Sequence, residues 1–301
     1  MDRRFLTRYA WLSIAAALAT IVLKSAAYLL TASVGLLSDA MESLVNLAGA
    51  ILALVVLNVA AAPPDEEHAY GHTKAEYFSS GVEGALILLS ATAIGVAAVD
   101  RLLSPRELES LGLGLAISAV ASLVNLGAAI VIRRAGKRHE SVTLEANAQH
   151  LFTDVWTSVG VLAAVGLVAV TGWGPLDPII AILVAANITW TGILILRQTA
   201  LGLLDTALPA AEIERIKKIL NSYRKEEVRY HALRTRRSGA RRFVSVHILV
   251  PGAWHVQRGH KLLEKIEGEI RATLENVTVL THLESLEDAA SFEDQSLDRE
   301  E

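Results

Sequence analysis

Apolar residues come first in long, almost unbroken runs and later in short periodic ones, and the change falls near Asp205. Before it, six stretches each approach the roughly 20 mostly apolar residues that a membrane-spanning helix needs. The first runs from about Tyr9 to Thr31, interrupted by Lys24, and the second from about Val34 to Ala61, carrying Asp39 and Glu42. The third, about Ser79 to Ala98, encloses Glu83, and the fourth, Leu111 to Ile132, has no charge. The fifth, about Ala146 to Val170, carries His150 and Asp154, and the sixth, Pro178 to Leu196, is again uncharged. The length of the first stretch, its Lys24 and the five spans behind it argue against a cleaved signal peptide.

After Asp205 the periods shorten. Leu208 to Tyr223 reads as an amphipathic helix, Val228 to Arg236 as a strand, and Ser238-Gly239 as a turn. Arg242 to Val250 is a second strand, stopped by Pro251-Gly252. Val256 to Leu274 is a helix with Leu262, Leu263, Ile266 and Ile270 inward, and Val277 to Glu284 a third strand. The order αββαβ predicts a small two-layer α+β domain. The expected division is therefore a six-helix transmembrane domain at 1–205, a cytoplasmic domain at 206–290 and an acidic, disordered tail at 291–301.

Composition agrees with the pattern. The 301 residues are 52% hydrophobic and 20% charged, with a mean hydropathy of +0.40, whereas soluble domains are about 25% charged. The absence of cysteine excludes disulfides, thiolate metal sites and cysteine nucleophiles. A net charge of -4 gives no support to nucleic-acid binding, and the basic residues Arg234, Arg236 and Arg237 fall on a strand and turn, where a structural role is expected. Arg3, Arg4 and Arg8 precede the first span, Arg133, Arg134, Lys137 and Arg138 lie between the fourth and fifth, and Arg197 follows the sixth. An even number of spans puts all of these on one side, so both termini are expected in the cytoplasm.

Ionisable residues inside spans are costly, and each is a functional candidate. The second span reads Asp39-Ala-Met-Glu42-Ser-Leu-Val-Asn46, and the fifth Asn147-Ala-Gln-His150-Leu-Phe-Thr-Asp154. Both place polar groups at i, i+3 and i+7, which gather on one narrow face of a helix. If the two stripes face each other, Glu42, Asn46, His150 and Asp154 make a four-ligand cage suited to a divalent first-row metal. Interhelical hydrogen bonding is the bland alternative, and the formal charge on two of the four argues against it. Lys24, Asn58, Glu83 and Asn125 are explained at least as well by packing or snorkelling.

Nine histidines add a second theme. His68 and His72 lie in the loop between the second and third spans with Asp65 three residues earlier, a metal site or a solvated cluster. In the second strand Val244, Val246, Ile248 and Val250 share the core face by period two, so His247 points the other way. His282 and Glu284 share a face of the third strand, His231 lies on the first, and His260 stands near the start of the second tail helix. His139 and His255 read as solvated.

The runs Ser33-Val-Gly-Leu-Leu-Ser-Asp39-Ala-Met-Glu42-Ser-Leu-Val-Asn46 and Ala148-Gln-His150-Leu-Phe-Thr-Asp154, with the loop Asp65-Glu-Glu-His68-Ala-Tyr-Gly-His72-Thr-Lys74-Ala-Glu76, resemble signatures of the cation diffusion facilitator family. The resemblance covers roughly residues 8 to 285 and is nearest to the bacterial zinc/ferrous-iron efflux type. It implies a proton-coupled exporter of divalent metals in the bacterial inner membrane. It further implies six spans, a cytoplasmic ferredoxin-like αββαβ domain and a homodimer. Asp65, His68 and His72 would then form an accessory cytoplasmic site. His231, His247, His260, His282 and Glu284 would form zinc sites at the dimer interface. One departure stands out: that type carries Asp-x-x-x-Asp in the second span, where this chain has Glu42-x-x-x-Asn46. Asn46 removes one negative charge from the site: His plus carboxylates suits Zn²⁺, the expected cargo, and the harder Asn oxygen admits Fe²⁺, Mn²⁺, Co²⁺ or Ni²⁺.

Two other functions compete. An intramembrane hydrolase would need a nucleophile and base or an activated metal water, yet neither Gly-x-Ser-x-Gly nor His-Glu-x-x-His occurs. A membrane-bound metal sensor would need the tail histidines but not the buried cage.

Overall fold

Helices of 25 to 30 residues recur six times in the first two-thirds of the chain. They are seen in a computed structural model that describes residues 4–31, 34–104, 112–173 and 175–293. They are α1 (Thr7–Thr31), α2 (Val34–Ala60), α3 (Ala75–Leu103), α4 (Gly112–His139), α5 (Val142–Thr171) and α6 (Leu176–Leu203). At 1.5 Å per residue each is about 38–45 Å long, more than the roughly 30 Å of a hydrocarbon core. The excess explains where the sequence placed the ends too early. Arg133, Arg134, Lys137 and Arg138, expected in a loop, form the last two turns of α4, and Arg197 lies within α6. Among the described residues, α1, α3, α4 and α6 each contain a stretch long and apolar enough to cross a membrane, and α2 adds the apolar Asn46–Ala60.

The side chains are distributed inside out. Trp11, Val22, Leu29, Val55, Leu89, Val96, Leu123 and Leu183 are exposed on the helix surfaces, as lipid-facing residues should be. Small residues fill the interior: Ala10, Ala50, Ala53, Ala128, Ala129, Ala135 and Ala148 are buried between helices. Without a hydrophobic drive between helices in lipid, such close backbone approach supplies the packing. The polar groups Lys24, Asn46, Ser79, Ser80, Glu83, Asn125, Asn147, His150 and Asp154 are buried with them. His139, expected to be solvated, packs edge-on against Phe5 with ring centroids 4.8 Å apart.

The chain forms two compact units, Met1–Ala200 and Leu201–Glu301. The second holds α7 (Ala210–Ser222), β1 (Arg229–Ser238), β2 (Arg241–Val250), α8 (Val256–Thr273) and β3 (Val277–Ser285). This is the expected αββαβ order, with each boundary within about two residues of its predicted place. The turn falls at Gly239-Ala240, one residue later than expected, with Gly239 in the left-handed region at φ +56°. β2 is central, antiparallel to β1 and parallel to β3. Val244, Val246, Ile248 and Val250 pack with Ile216 and Leu220 of α7 and Leu262, Ile266 and Ile270 of α8. Ser291 and Phe292, assigned by sequence to the acidic tail, belong instead to a short turn over Ala289–Phe292 capped by Asp288, whose Oδ1 accepts from Ala290 N at 3.0 Å. Residues 294–301 lie outside the described set.

A bidentate ion pair ties the helical layer to the sheet. Arg242, at the start of β2, donates through Nε and Nη2 to the two Glu212 oxygens at 2.9 and 3.1 Å, and through Nη1 to Glu275 O at 3.1 Å. The guanidinium hydrogen bond holds the Glu212 carboxyl below its usual range. A depressed carboxylate stabilises the fold above its unfolded pKa and loses that contribution as pH falls through the folded value. Glu212→Gln should therefore cost about 1–3 kcal/mol at pH 7, with the gap to wild type closing as pH drops below the unfolded Glu value of about 4.3. Denaturant unfolding followed through the tail, from pH 7 down to 3.5, checks this, and a pH-independent gap would exclude the linkage.

Candidate metal centres

A buried polar cluster forms where α2 and α5 meet. Asn46 lies between the two polar residues of α5: its Nδ2 donates to Asp154 Oδ2, and its Oδ1 faces His150 Nε2. The three side chains are only 2–4% exposed. Asn125 of α4 also donates to Asp154 Oδ2, at 3.3 Å. A carboxylate, an imidazole and an amide oxygen thus converge from two helices, a donor set that accepts divalent first-row metals. Glu42 belongs to α2 one turn before Asn46, but its side chain, like that of Asp39, lies outside the described residues.

Two things hold α5 in this rotation. At its N-terminus, Glu76 of α3 is fully buried, and Oε2 accepts from Ser141 Oγ at 2.5 Å and from Thr143 N at 3.3 Å. A carboxylate at a helix N-terminus satisfies otherwise unpaired N–H groups and favours the positive end of the dipole. One turn further on, Asn147 donates to Glu83 Oε1 at 3.1 Å. The expected stripe therefore divides: Asn147 turns to α3 while His150 and Asp154 meet α2. Glu83 and Asn125, which the sequence assigned to packing, both touch cluster residues. The signal available was simply that a carboxylate and an amide occupy apolar runs.

The loop between α2 and α3 gathers Asp65, His68 and His72. Asp65 Oδ1 accepts from His68 N at 2.6 Å and lies 3.1 Å from His68 Nδ1, while Oδ2 is 3.2 Å from His72 Nε2. Gly71, at φ +82°, permits the reversal that brings the two rings to 4.5 Å. The backbone hydrogen bond from His68 is the main cause that keeps the Asp65 carboxyl below its ordinary range. The result is a compact donor set of one anion and two imidazoles near the water boundary.

In the second unit, strand register builds the cluster. His231 stands opposite His247, and His247 opposite His282, in one row across β1, β2 and β3. Glu284, two residues beyond His282, reaches back along the same face. Its carboxylate lies 2.6 Å from His231 Nε2, 3.0 Å from His247 Nδ1 and 3.7 Å from His282 Nε2. A bulge between His231 and Arg234, with Ala232 at φ +47°, absorbs one extra residue in β1. It lets Tyr230 and Leu233 both pack on the core although three apart. His231, His247 and Glu284 are close enough to share an ion, with His282 at the rim, its side chain 65% exposed. His260 is exposed on α8 and is not brought to this cluster. Its position at the start of a helix on the opposite layer of the domain explains why.

Residues 10–204 match the cation efflux transmembrane domain and residues 208–286 the cytoplasmic domain of cation efflux proteins. The chain belongs to the cation diffusion facilitator family. This family is one of multi-pass membrane transporters, and the function that follows is divalent-cation efflux. Among its members, an uncharacterised transporter of Synechocystis, sll1263, is 53% identical over 293 residues, covering 97% of this chain and 94% of that protein. The cation-efflux pump FieF of Shewanella oneidensis is 29% identical over 273 residues, 90% of each chain. FieF of Salmonella arizonae is 28% identical over 279 residues, 93% of this chain and 92% of the other.

The geometry of the tail cluster separates its members. If the tail cluster holds a divalent metal, Glu284→Gln should weaken that binding about 10–100-fold, because one carboxylate faces three rings. His260→Ala should change it by less than about twofold. Competition titrations of the full-length protein against a fluorescent chelator measure both. Equal losses from the two variants would return His260 to the site.

Proposed function

We propose that this transporter moves Zn²⁺ out of the cytoplasm in exchange for protons, with Glu42, Asn46, His150 and Asp154 as the binding site in the membrane. The observation that carries the reading is the buried convergence of Asn46, His150 and Asp154 from α2 and α5. Buried charge in a span is retained where it does work. His150 supplies the exchange. A metal binds only the neutral imidazole, whose unperturbed pKa is near 6.5, so proton and metal compete for one nitrogen. Fe²⁺, Mn²⁺, Co²⁺ and Ni²⁺ suit the same donors.

The sites outside the membrane fit supporting roles. Asp65, His68 and His72 form an accessory site on the cytoplasmic side. The row His231, His247, His282 with Glu284 binds zinc in the tail domain of a homodimer, loading with cytoplasmic metal. Both termini are cytoplasmic, following the distribution of Lys and Arg around the spans, in a bacterial inner membrane. In this arrangement the tail responds to metal while the buried cage carries it.

In proteoliposomes, His150→Ala and Asp154→Ala should each reduce Zn²⁺ flux to the level of empty vesicles while the protein still inserts and dimerises. Wild-type flux from either variant would remove the cage. Asn46→Asp adds a carboxylate that attracts both metal and proton. It should bind Zn²⁺ more tightly near neutral pH and move the acid limb of the flux profile to higher pH. Flux and affinity measured from about pH 5.5 to 8 decide it, and unchanged profiles would exclude Asn46 as a ligand.

A further inference from the structure

The two nitrogens of His150 face different surroundings. Nε2 faces Asn46 and, beyond it, Asp154. Nδ1 faces Glu83 of α3, whose Oε2 lies 3.6 Å away. Among the described residues neither Nδ1 nor Oε2 has a hydrogen-bond partner, although both are buried. Among the described residues, a ring nitrogen and a carboxylate oxygen that can share one hydrogen thus oppose each other.

Glu83 is itself held tightly. It is fully buried, and its other oxygen accepts from Asn147, one turn before His150 on the same face of α5. The opposite wall is Gly49 of α2, where a Cβ would stand 3.0 Å from Oε1 and 3.2 Å from Oε2. The carboxylate therefore packs closely against Gly49, between Asn147 and His150.

We propose that Glu83 is a positioning residue for the transport site. It accepts the Nδ1 hydrogen of His150 and so fixes the ring with Nε2 directed at the metal. When Nε2 is given to a metal, the one remaining ring hydrogen must be on Nδ1, and a carboxylate is the strong acceptor for it. Such outer carboxylates orient ligating histidines, and their loss typically weakens metal binding about 10–100-fold. This inference rests on the reading of His150 as a ligand, and it adds a third helix, α3, to a site otherwise made by α2 and α5.

The test uses the full-length protein carrying Asp65→Ala and His247→Ala, so that the buried site dominates, titrated with Zn²⁺ against a competing chelator. E83M removes the acceptor and should weaken binding about 10–100-fold, whereas E83Q keeps a carbonyl acceptor and should retain most of the affinity. Nitrogen-15 ring shifts of the zinc-loaded parent protein should place the hydrogen of His150 on Nδ1 and the metal on Nε2. Affinities within twofold for both variants, or metal on Nδ1, would overturn the proposal. So would equal losses in E83Q and E83M, which would make Glu83 a source of charge rather than of orientation. If E83M fails to fold, E83Q and the ring assignment still decide. H150A in the same background separates the underlying reading: unchanged affinity there would mean that His150 is not a ligand at all.

Discussion

Keeping ionisable groups away from lipid organises the whole membrane half. Each carboxylate or imidazole in a span must find polar partners on neighbouring helices, because the hydrocarbon offers none. Asn46, Glu83, Asn125, Asn147, His150 and Asp154 solve this jointly, each meeting at least one of the others. Helix rotation follows from that requirement more than from apolar packing, since Leu against lipid costs as little as Leu against Leu. Ala-rich interfaces then set how near the backbones come. The Glu76 contact at the start of α5 adds a fixed point at that end of the helix.

Much of this was legible in the sequence, for physical reasons that differ between the two halves. Six helices follow from run length, and the tail order from the switch between periods of 3.6 and 2. The helix ends were less legible: α4 continues through Arg133 to His139 because a helix need not stop where the hydrocarbon does. The stripe at Asn147, His150 and Asp154 was visible as a stripe, but a helical pattern cannot say that Asn147 answers to a different neighbour. Glu83 and Asn125 went unread as site residues because each is alone in its own span. Only the packing of α3 and α4 against α5 gives them company.

The tail shows the converse. Parity along β2 placed His247 opposite the core, and parity along β3 paired His282 with Glu284, so most of the cluster could be read from alternation alone. Register could not be read. The row His231–His247–His282 depends on how three strands align and on an extra residue at Ala232 that no period-two pattern announces. His260 looked similar in composition to the others and differs only in the layer that carries it.

Gly49 has a bearing beyond its own packing. Because the Glu83 carboxylate packs closely against it, a change at one position bears on the other. A methyl group at 49 would make the acid give way by a few tenths of an ångström, and a shorter residue at 83 would relieve that contact. In related transporters the two positions should therefore change hands together. A lineage that abandons the acid would admit alanine or serine at 49, and its histidine would then depend on some other group for its orientation.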